Sequence, residues 1–350
     1  MTLYGRPMVH SCVPTTLDAV LDIDWLGTAL DDIDEGDRIV GVEAVGSSKT
    51  LAEKVRFRVM VERADGARET RAYCAKAHLD GSPGADLLSE AHFYAALAAH
   101  IDVRAPRAYY TAVDDAAEQA IVIMDDVVAN GGTFMNAFTP YSVSTARDTL
   151  GQLARLHAAT WGCRGLTDLD WLDPRITCMA DIFPLDLLQE LLDDGRGPDV
   201  APELRSAANV AEAMRRTGAH EITCVIHADP HSGNSYLDAD GRACWLDWQI
   251  VQRGNWATDI AYHLGTVLDI ETRRAHEADL LRHYLAELSA AGAPAPAWDA
   301  AWEQYTLSFA YGYFLWVITR ISSREVVLVH IPRLAAALTD HDTFRRLGLH

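Results

Sequence analysis

The stretch Cys224-Val225-Ile226-His227-Ala228-Asp229-Pro230-His231-Ser232-Gly233-Asn234, with Trp245-Leu246-Asp247-Trp248-Gln249 soon after it, decides how this 350-residue chain is read. The apolar run from Thr223 to His227 has the length and composition of a strand, and polar residues crowd its C-terminal end. Ser235 to Asp247 reads as a hairpin turning at Asp240-Gly241, because Asp-Gly supplies the positive φ that a tight turn needs. Asp229, Asn234 and Asp247 are hard oxygen donors, suited to a divalent cation or to the proton of a hydroxyl group. His227, Asp229 and His231 also stand at H-x-D-x-H spacing, which admits a transition-metal cluster.

Upstream, residues 15–37 read as an amphipathic helix (Leu17, Val20, Leu21, Trp25, Leu26, Leu30) ending in the acidic run Asp31, Asp32, Asp34, Glu35 and Asp37, expected to be a solvated cap. The period then changes to two. Val55, Phe57, Val59 and Val61 alternate with Arg56, Arg58 and Glu62 in a half-buried strand. A shorter strand, Ile39 to Val45, precedes it across the small polar turn Gly46-Ser47-Ser48, and Asp65-Gly66 turns the chain into a third strand, Glu69 to Lys76. A helix from Leu87 to His100 and strands at Arg107 to Val113 and Ala120 to Met124 follow. Beyond Asp126 the pattern is mainly helical: Thr145 to Trp161, Pro184 to Asp194, Ala201 to Thr217, Ala257 to Leu268, Glu271 to Ala291, Ala297 to Ile321 and Arg333 to Thr339. The fold class is α+β, an N-terminal antiparallel sheet lobe followed by a larger, mostly helical C-terminal lobe.

The chain carries 50 Asp and Glu against 30 Lys and Arg, a formal charge of -20. That balance argues against a nucleic-acid or anionic-lipid partner, both of which require clustered cations, and permits a cationic small molecule. Only three of the basic residues are lysines, Lys49, Lys54 and Lys76, all in the sheet-forming part. The beginning, MTLYGRPMVHSCVP, lacks the basic start and apolar core of a secretory signal, so a cytoplasmic location is expected. The uncharged stretch Gln304 to Thr319 is too short for a membrane span and reads as a buried helix. Cys12, Cys74, Cys163, Cys178, Cys224 and Cys244 form no C-x-x-C pair and are expected to be reduced thiols.

The interval from Asp229 to Asn234 is that of the kinase catalytic loop H-x-D-x-x-x-x-N, with a hairpin and an aspartate behind it. More narrowly, His227 to Asn234 resembles the H-G-D-x-H-x-G-N loop of aminoglycoside phosphotransferases, and Leu246-Asp247-Trp248-Gln249 resembles the metal motif of choline-kinase-like and ecdysteroid-kinase-like enzymes. The chain is thus similar to the aminoglycoside phosphotransferase and choline kinase superfamily, closest to its ecdysteroid-kinase-like branch. The resemblance implies a bilobal, protein-kinase-like fold with residues 1–37 as a helical extension, 38–125 as a nucleotide-binding lobe, and 126–350 as a helical lobe carrying the catalytic loop and acceptor site. It implies magnesium-ATP between the lobes and a small-molecule hydroxyl as acceptor, aminoglycoside-, choline- or steroid-like. Within it, Asp229 is the catalytic carboxylate, while Asn234 and Asp247 hold Mg2+. Lys76 contacts the phosphates and Glu90 positions it; Gly46, Ser47 and Ser48 cover the phosphates, with Lys49 beside them as a possible second contact. Met124 and Asp125 lie where the backbone holds the base, and His227 and Asp259 support the catalytic loop. Ala228 replaces the usual glycine of the loop, and Gln249 stands where protein kinases commonly have glycine, which points away from a protein acceptor.

On the Ala297 to Ile321 helix, Trp302, Tyr305, Phe309, Tyr313 and Trp316 share one face, either core or an aromatic wall for an apolar or cationic acceptor. Two rival functions stand beside the kinase: a metal-dependent hydrolase built on His227, Asp229 and His231, which leaves Lys76, Glu90, Asn234 and Asp247 without a role, and a non-catalytic nucleotide-binding scaffold, which has no need of Asp229. The oligomeric state has no sequence signal.

Overall fold

In the computed structural model, which describes residues 13–197 and 200–349, the N-terminal stretch forms two short helices rather than one, α1 (Leu17–Val20) and α2 (Ile23–Ala29). Asp22 causes the break: its carboxylate accepts the backbone N–H of Trp25 at 2.8 Å and so starts a second helix inside the expected one. The expectations for Cys12 and the first twelve positions lie outside the described residues.

The period-two segments pair into an antiparallel sheet of β1 (Arg38–Lys49), β2 (Glu53–Glu62), β3 (Arg68–Ala77), β4 (Ala108–Asp114) and β5 (Gln119–Asp125), in the order β1-β2-β3-β5-β4. Between β3 and β4 the chain forms α3 (Ala85–Ala96). Alternation gives the sheet two different faces. One carries Val55, Phe57, Val59, Val61, Tyr73, Ala75, Ala77, Ile121 and Ile123, and packs against Val20, Leu26 and Leu30 of the N-terminal extension. The other presents Lys54, Arg56, Cys74, Lys76 and Met124, with α3 on the same side. The acidic run is not simply a solvated cap. Asp32 accepts the Tyr73 hydroxyl at 2.8 Å, Asp31 pairs with Arg107 at 3.0 Å, and Asp37 accepts the Ala64 N–H at 3.0 Å, so three carboxylates fasten the extension to the sheet.

After β6 (Thr133–Phe134) come α4 (Val143–Ala159), α5 (Met179–Ile182), α6 (Leu185–Asp193) and α7 (Ala207–Gly218), then β7 (Cys224–Ile226), β8 (Ser235–Leu237), β9 (Ala243–Trp245) and β10 (Gln252–Gly254). The chain ends in α8 (Trp256–Val267), α9 (Ile270–Ala290), α10 (Trp298–Ile318), α11 (Arg324–Asp340) and α12 (Thr343–Arg346). β7 and β10 pair antiparallel. α11 begins well before the expected Arg333 and runs through Pro332. Proline costs that helix one backbone hydrogen bond, but Val327, His330, Ile331 and Leu334 form one buried stripe across it, and their packing carries the helix through.

By their contacts the described residues divide into two compact units, the first made of those up to His100, 104–133 and 237–249, the second of those within 101–103, 134–236 and from Ile250 onward. The first is built on the antiparallel sheet and the second is mostly helical, the α+β class expected from the sequence. In the second unit Tyr305, Phe309, Tyr313 and Trp316 are at most 4% exposed, and the hydroxyls of Tyr305 and Tyr313 bond Glu277 and the Leu204 carbonyl. Those four residues are core, while Trp302, the first of the face, is half-buried. Among the described residues no helix is long and apolar enough to cross a membrane, and Cys74, Cys163, Cys178, Cys224 and Cys244 are free thiols.

Candidate active site

Two constellations of chemistry-bearing residues form, one in each unit. In the first, alternation along β3 turns Lys76 away from the apolar face, α3 supplies Glu90, and the segment after β9 supplies Asp247. Lys76 is 3% exposed, and its ammonium bonds the Glu90 carboxylate and reaches Asp247 Oδ1 at 3.0 Å. Burial works against its charge, but the two carboxylates outweigh burial and hold the ammonium above the ordinary lysine range. Asp247 sits at φ +60, a left-handed conformation that aspartate tolerates better than most residues, and its side chain stays 30% exposed.

Two contacts bolt this motif to α3. The Trp248 ring stacks on Phe93 with centroids 3.9 Å apart, and Gln249 donates to Asp86 Oδ2 at 2.8 Å. The other Asp86 oxygen takes His78 at 3.0 Å. Gly84, just before the helix, is the only kind of residue that fits there, because a Cβ would lie 2.0 Å from the His78 ring.

The other residues singled out for this unit are placed as follows. Gly46, Ser47 and Ser48 do not form a turn. They continue β1 to Lys49, opposite Arg56, Val55 and Lys54, and the turn falls at Thr50-Leu51-Ala52. A register shift between Ala44 and Gly46 leaves Val45 as the extra residue of a bulge, with Gly46 back in register opposite Arg56, and the Lys49–Glu53 pair at 3.3 Å closes the strand ends. Lys49 is also bound to Asp80 at 3.0 Å on the exposed surface. Met124 is buried on the Lys76 side of the sheet, opposite Cys74. The Asp125 carboxylate is engaged locally, accepting the Arg107 N–H and the Tyr109 hydroxyl, each at 2.8 Å. Lys54, to which the sequence reading gave no role, stands directly across from Lys76 on the same face and donates to Thr50 Oγ1 at 2.8 Å. Burial, then the neighbouring Lys76 charge, lowers the pKa of its ammonium. The strand alternation already held that signal, since Lys54 shares parity with Arg56 and Arg58.

In the second unit, β7 ends at Ile226 and the loop that begins at His227 is fixed from α8. Asp259, fully buried, accepts the N–H groups of His227 and Ala228, each at 2.8 Å, and His157 Nε2 at 3.2 Å. His263, one turn further along α8, donates from Nδ1 to the Pro230 carbonyl at 2.7 Å, and Tyr311 donates to the Ala228 carbonyl at 3.0 Å. Ala228 adopts φ +69, the left-handed turn for which glycine is the easier residue. Asp229 follows. Its Oδ1 accepts the Tyr262 hydroxyl at 2.7 Å, its Oδ2 accepts Asn234 Nδ2 at 2.8 Å, and His231 Nε2 lies 3.6 Å from Oδ2. Burial would raise its pKa, but the facing His231 and the hydrogen bonds from His231 and Tyr262 win and bring it to about 2. The side chain is 28% exposed, so the carboxylate is ionised at neutral pH and open to a ligand. Asn234 Nδ2 also donates to the Asp229 carbonyl at 3.0 Å. Both partners of that amide nitrogen are acceptors, so the amide oxygen is the atom left to bind a cation.

Each unit taken by itself carries one hard oxygen donor of the kind magnesium prefers, the Asp247 carboxylate in the first and the Asn234 amide oxygen in the second. The His227, Asp229 and His231 cluster of the hydrolase reading does not form. His227 is fully buried with Nδ1 accepting the Asp229 N–H at 3.3 Å, and His231 Nδ1 accepts the Gly233 N–H at 3.0 Å. Among the described residues there is no group of three His, Cys, Asp or Glu placed to hold a metal.

Three solved structures similar to the chain are choline kinase LicA from Streptococcus pneumoniae (14% identity, TM-score 0.49, 91% of this chain and 97% of that one covered), spectinomycin phosphotransferase APH(9)-Ia in complex with ADP and spectinomycin (10%, 0.49, 92% and 97%), and a Plasmodium vivax ethanolamine kinase (11%, 0.48, 87% and 83%). No curated protein matches the sequence. The family model described as "Phosphotransferase enzyme family" matches residues 50–302, a span that contains Lys76, Glu90, Asp229, Asn234, Asp247 and Asp259. With most of its length matched, including both constellations, the chain belongs to the phosphotransferase enzyme family.

Proposed function

We propose that this small-molecule phosphotransferase is a kinase that moves the γ-phosphoryl group of ATP to a hydroxyl group of its acceptor. The observation that carries the reading is the buried Lys76 ammonium bonded to Glu90 and to Asp247. It fixes one positive charge beside a partly exposed carboxylate, the pairing needed to grip a phosphate chain and its cation together. Lys76 contacts the α and β phosphates, and Glu90 keeps the ammonium in place. Gly46, Ser47 and Ser48 line the phosphates as a strand end, and the Met124 and Asp125 backbone takes the base. Asp247 and Asn234 hold magnesium, which when bound neutralises charge on the phosphate oxygens.

Asp229 receives the acceptor hydroxyl, with His227 and Asp259 holding its loop. A carboxylate with a pKa of about 2 is a weak base, so its main task is orientation. That suffices, because a loose phosphoryl-transfer transition state asks little of the nucleophile. The acceptor is an aminoglycoside-, choline- or steroid-like alcohol, and the enzyme works in the cytoplasm, where ATP is available.

A panel of amino sugars, amino alcohols and sterols assayed for acceptor-dependent ADP release tests the reading. Asp229→Ala is expected to lower kcat by roughly 10²- to 10⁴-fold while ATP affinity, measured by calorimetry, changes less than about twofold. Lys76→Met is expected to weaken ATP binding, and removal of divalent cations to abolish turnover. Undiminished turnover in Asp229→Ala would sink the assignment. ATP binding with no acceptor-dependent ADP release across the panel would favour the scaffold instead.

A further inference from the structure

Asp229 is held by three side chains, and one of them belongs to no motif in the sequence. Tyr262 lies on α8, three residues after Asp259 and one before His263, so a single helix face presents all three to the loop. Asp259 and His263 bind loop backbone, whereas Tyr262 reaches the carboxylate itself, donating to Oδ1 at 2.7 Å. Its ring is 1% exposed and is fixed by contacts that leave the hydroxyl one direction to point. It packs edge-on to Tyr311 at 5.9 Å, and a Cβ on Gly312 would meet its Cδ2 at 2.7 Å. Tyr311 in turn bonds the Ala228 carbonyl, so the two tyrosines grip successive residues of the loop.

We infer that Tyr262 is a positioning residue for phosphoryl transfer: its hydroxyl occupies one lone pair of Asp229 Oδ1 and so fixes the carboxylate plane that the acceptor hydroxyl meets. The inference rests on the reading of Asp229 as the acceptor-facing carboxylate. Asn234 and the facing His231 both engage Oδ2 and leave Oδ1 unheld; the Tyr262 hydroxyl, a donor on that other oxygen, fixes the rotation of the carboxylate about its Cβ–Cγ bond. Orientation is where such a loss is felt, because small misplacement of a reacting group lowers the rate without touching the rest of the substrate. Tyr262 exchanges no proton in the reaction. It donates one hydrogen bond throughout, and the acceptor's proton passes toward Asp229.

The experiment compares Tyr262→Phe with Tyr313→Phe and Asp229→Ala, using magnesium-ATP hydrolysis without acceptor and turnover with the best acceptor of the panel. Tyr262→Phe keeps the buried ring. Its kcat is expected to fall roughly 10- to 100-fold, the range for a lost hydrogen bond to a charged group, with KM for ATP within about twofold of the parent. Tyr313→Phe loses an equally buried hydroxyl bonded to the Leu204 carbonyl and is expected to keep the parent kcat. An unchanged kcat in Tyr262→Phe, or equal losses in kcat and ATP affinity, would overturn the inference. So would a matching loss in Tyr313→Phe, which would trace the effect to packing. If Asp229→Ala keeps its turnover, the reading of Asp229 itself fails; if Asp229→Ala is impaired and Tyr262→Phe is not, only the role of Tyr262 fails.

Discussion

Ala228 shows what a motif letter leaves unsaid. The sequence revealed an alanine where relatives of the loop have glycine; the structure shows the reason for the glycine, a backbone at φ +69. An L-residue in this conformation costs about 1–2 kcal/mol. Ala228→Gly removes that strain but also deletes a fully buried methyl, worth about 0.8 kcal/mol, and loosens the unfolded chain by about 0.5–1 kcal/mol. These terms nearly cancel, so chemical denaturation of Ala228→Gly is expected to match the parent within about 0.5 kcal/mol. Ala228→Val should cost more than about 2 kcal/mol, since a β-branched side chain fits this region far worse. The same limit applies to Asp247: its place in the motif was legible, while its φ of +60 and the contacts its neighbours Trp248 and Gln249 make with α3 were not.

Among the elements, α8 is the one on which the loop depends, and α10 lies against it with glycine at the contact. Gly312→Ala would gain about 1 kcal/mol of helix propensity, but its Cβ would approach Tyr262 Cδ2 to 2.7 Å and Leu334 Cδ2 to 3.3 Å. Overpacking costs about 1–3 kcal/mol, so the variant is expected to be destabilised by up to about 2 kcal/mol net, read as a lower melting temperature. Its kcat should fall as well, because the displaced ring carries the hydroxyl on Asp229. Helices and strands were the legible part of the fold, since periods of 3.6 and 2 are written in the side chains. Their ends were less so. A single cap at Asp22 split one helix, strand pairing resumed after a bulge at Val45 and ran through an apparent turn, and a buried stripe carried α11 across Pro332. In each case a tertiary or capping contact outweighed the local signal.

For the whole molecule, acidification is expected to destabilise the fold before its carboxylates titrate. Burial lowers His263 to about 4, and burial with the nearby His231 and Arg333 lowers His330 to about 2. Both stay neutral when folded but gain a proton near the ordinary pKa of about 6.5 when unfolded. Between those values the unfolded chain binds more protons, so their contribution is complete above about pH 6.5 and declines as pH falls, toward 4 for His263 and toward 2 for His330. From pH 7 to 5 each histidine accounts for a loss of about 2 kcal/mol, and His330→Leu should remove about half of the combined loss in denaturant titrations at the two pH values. At this scale the sequence displayed the motifs and their spacing, but no local pattern announces that residues 237–249 rejoin the sheet-bearing unit. That return bears on how related enzymes can be recombined. A chimera that exchanges everything up to Thr133 for a relative's sequence would leave this chain's Trp248 and Gln249 facing a foreign α3, without Phe93 to stack on or Asp86 to accept. The two stretches must be exchanged together, so they form one heritable module written in two places.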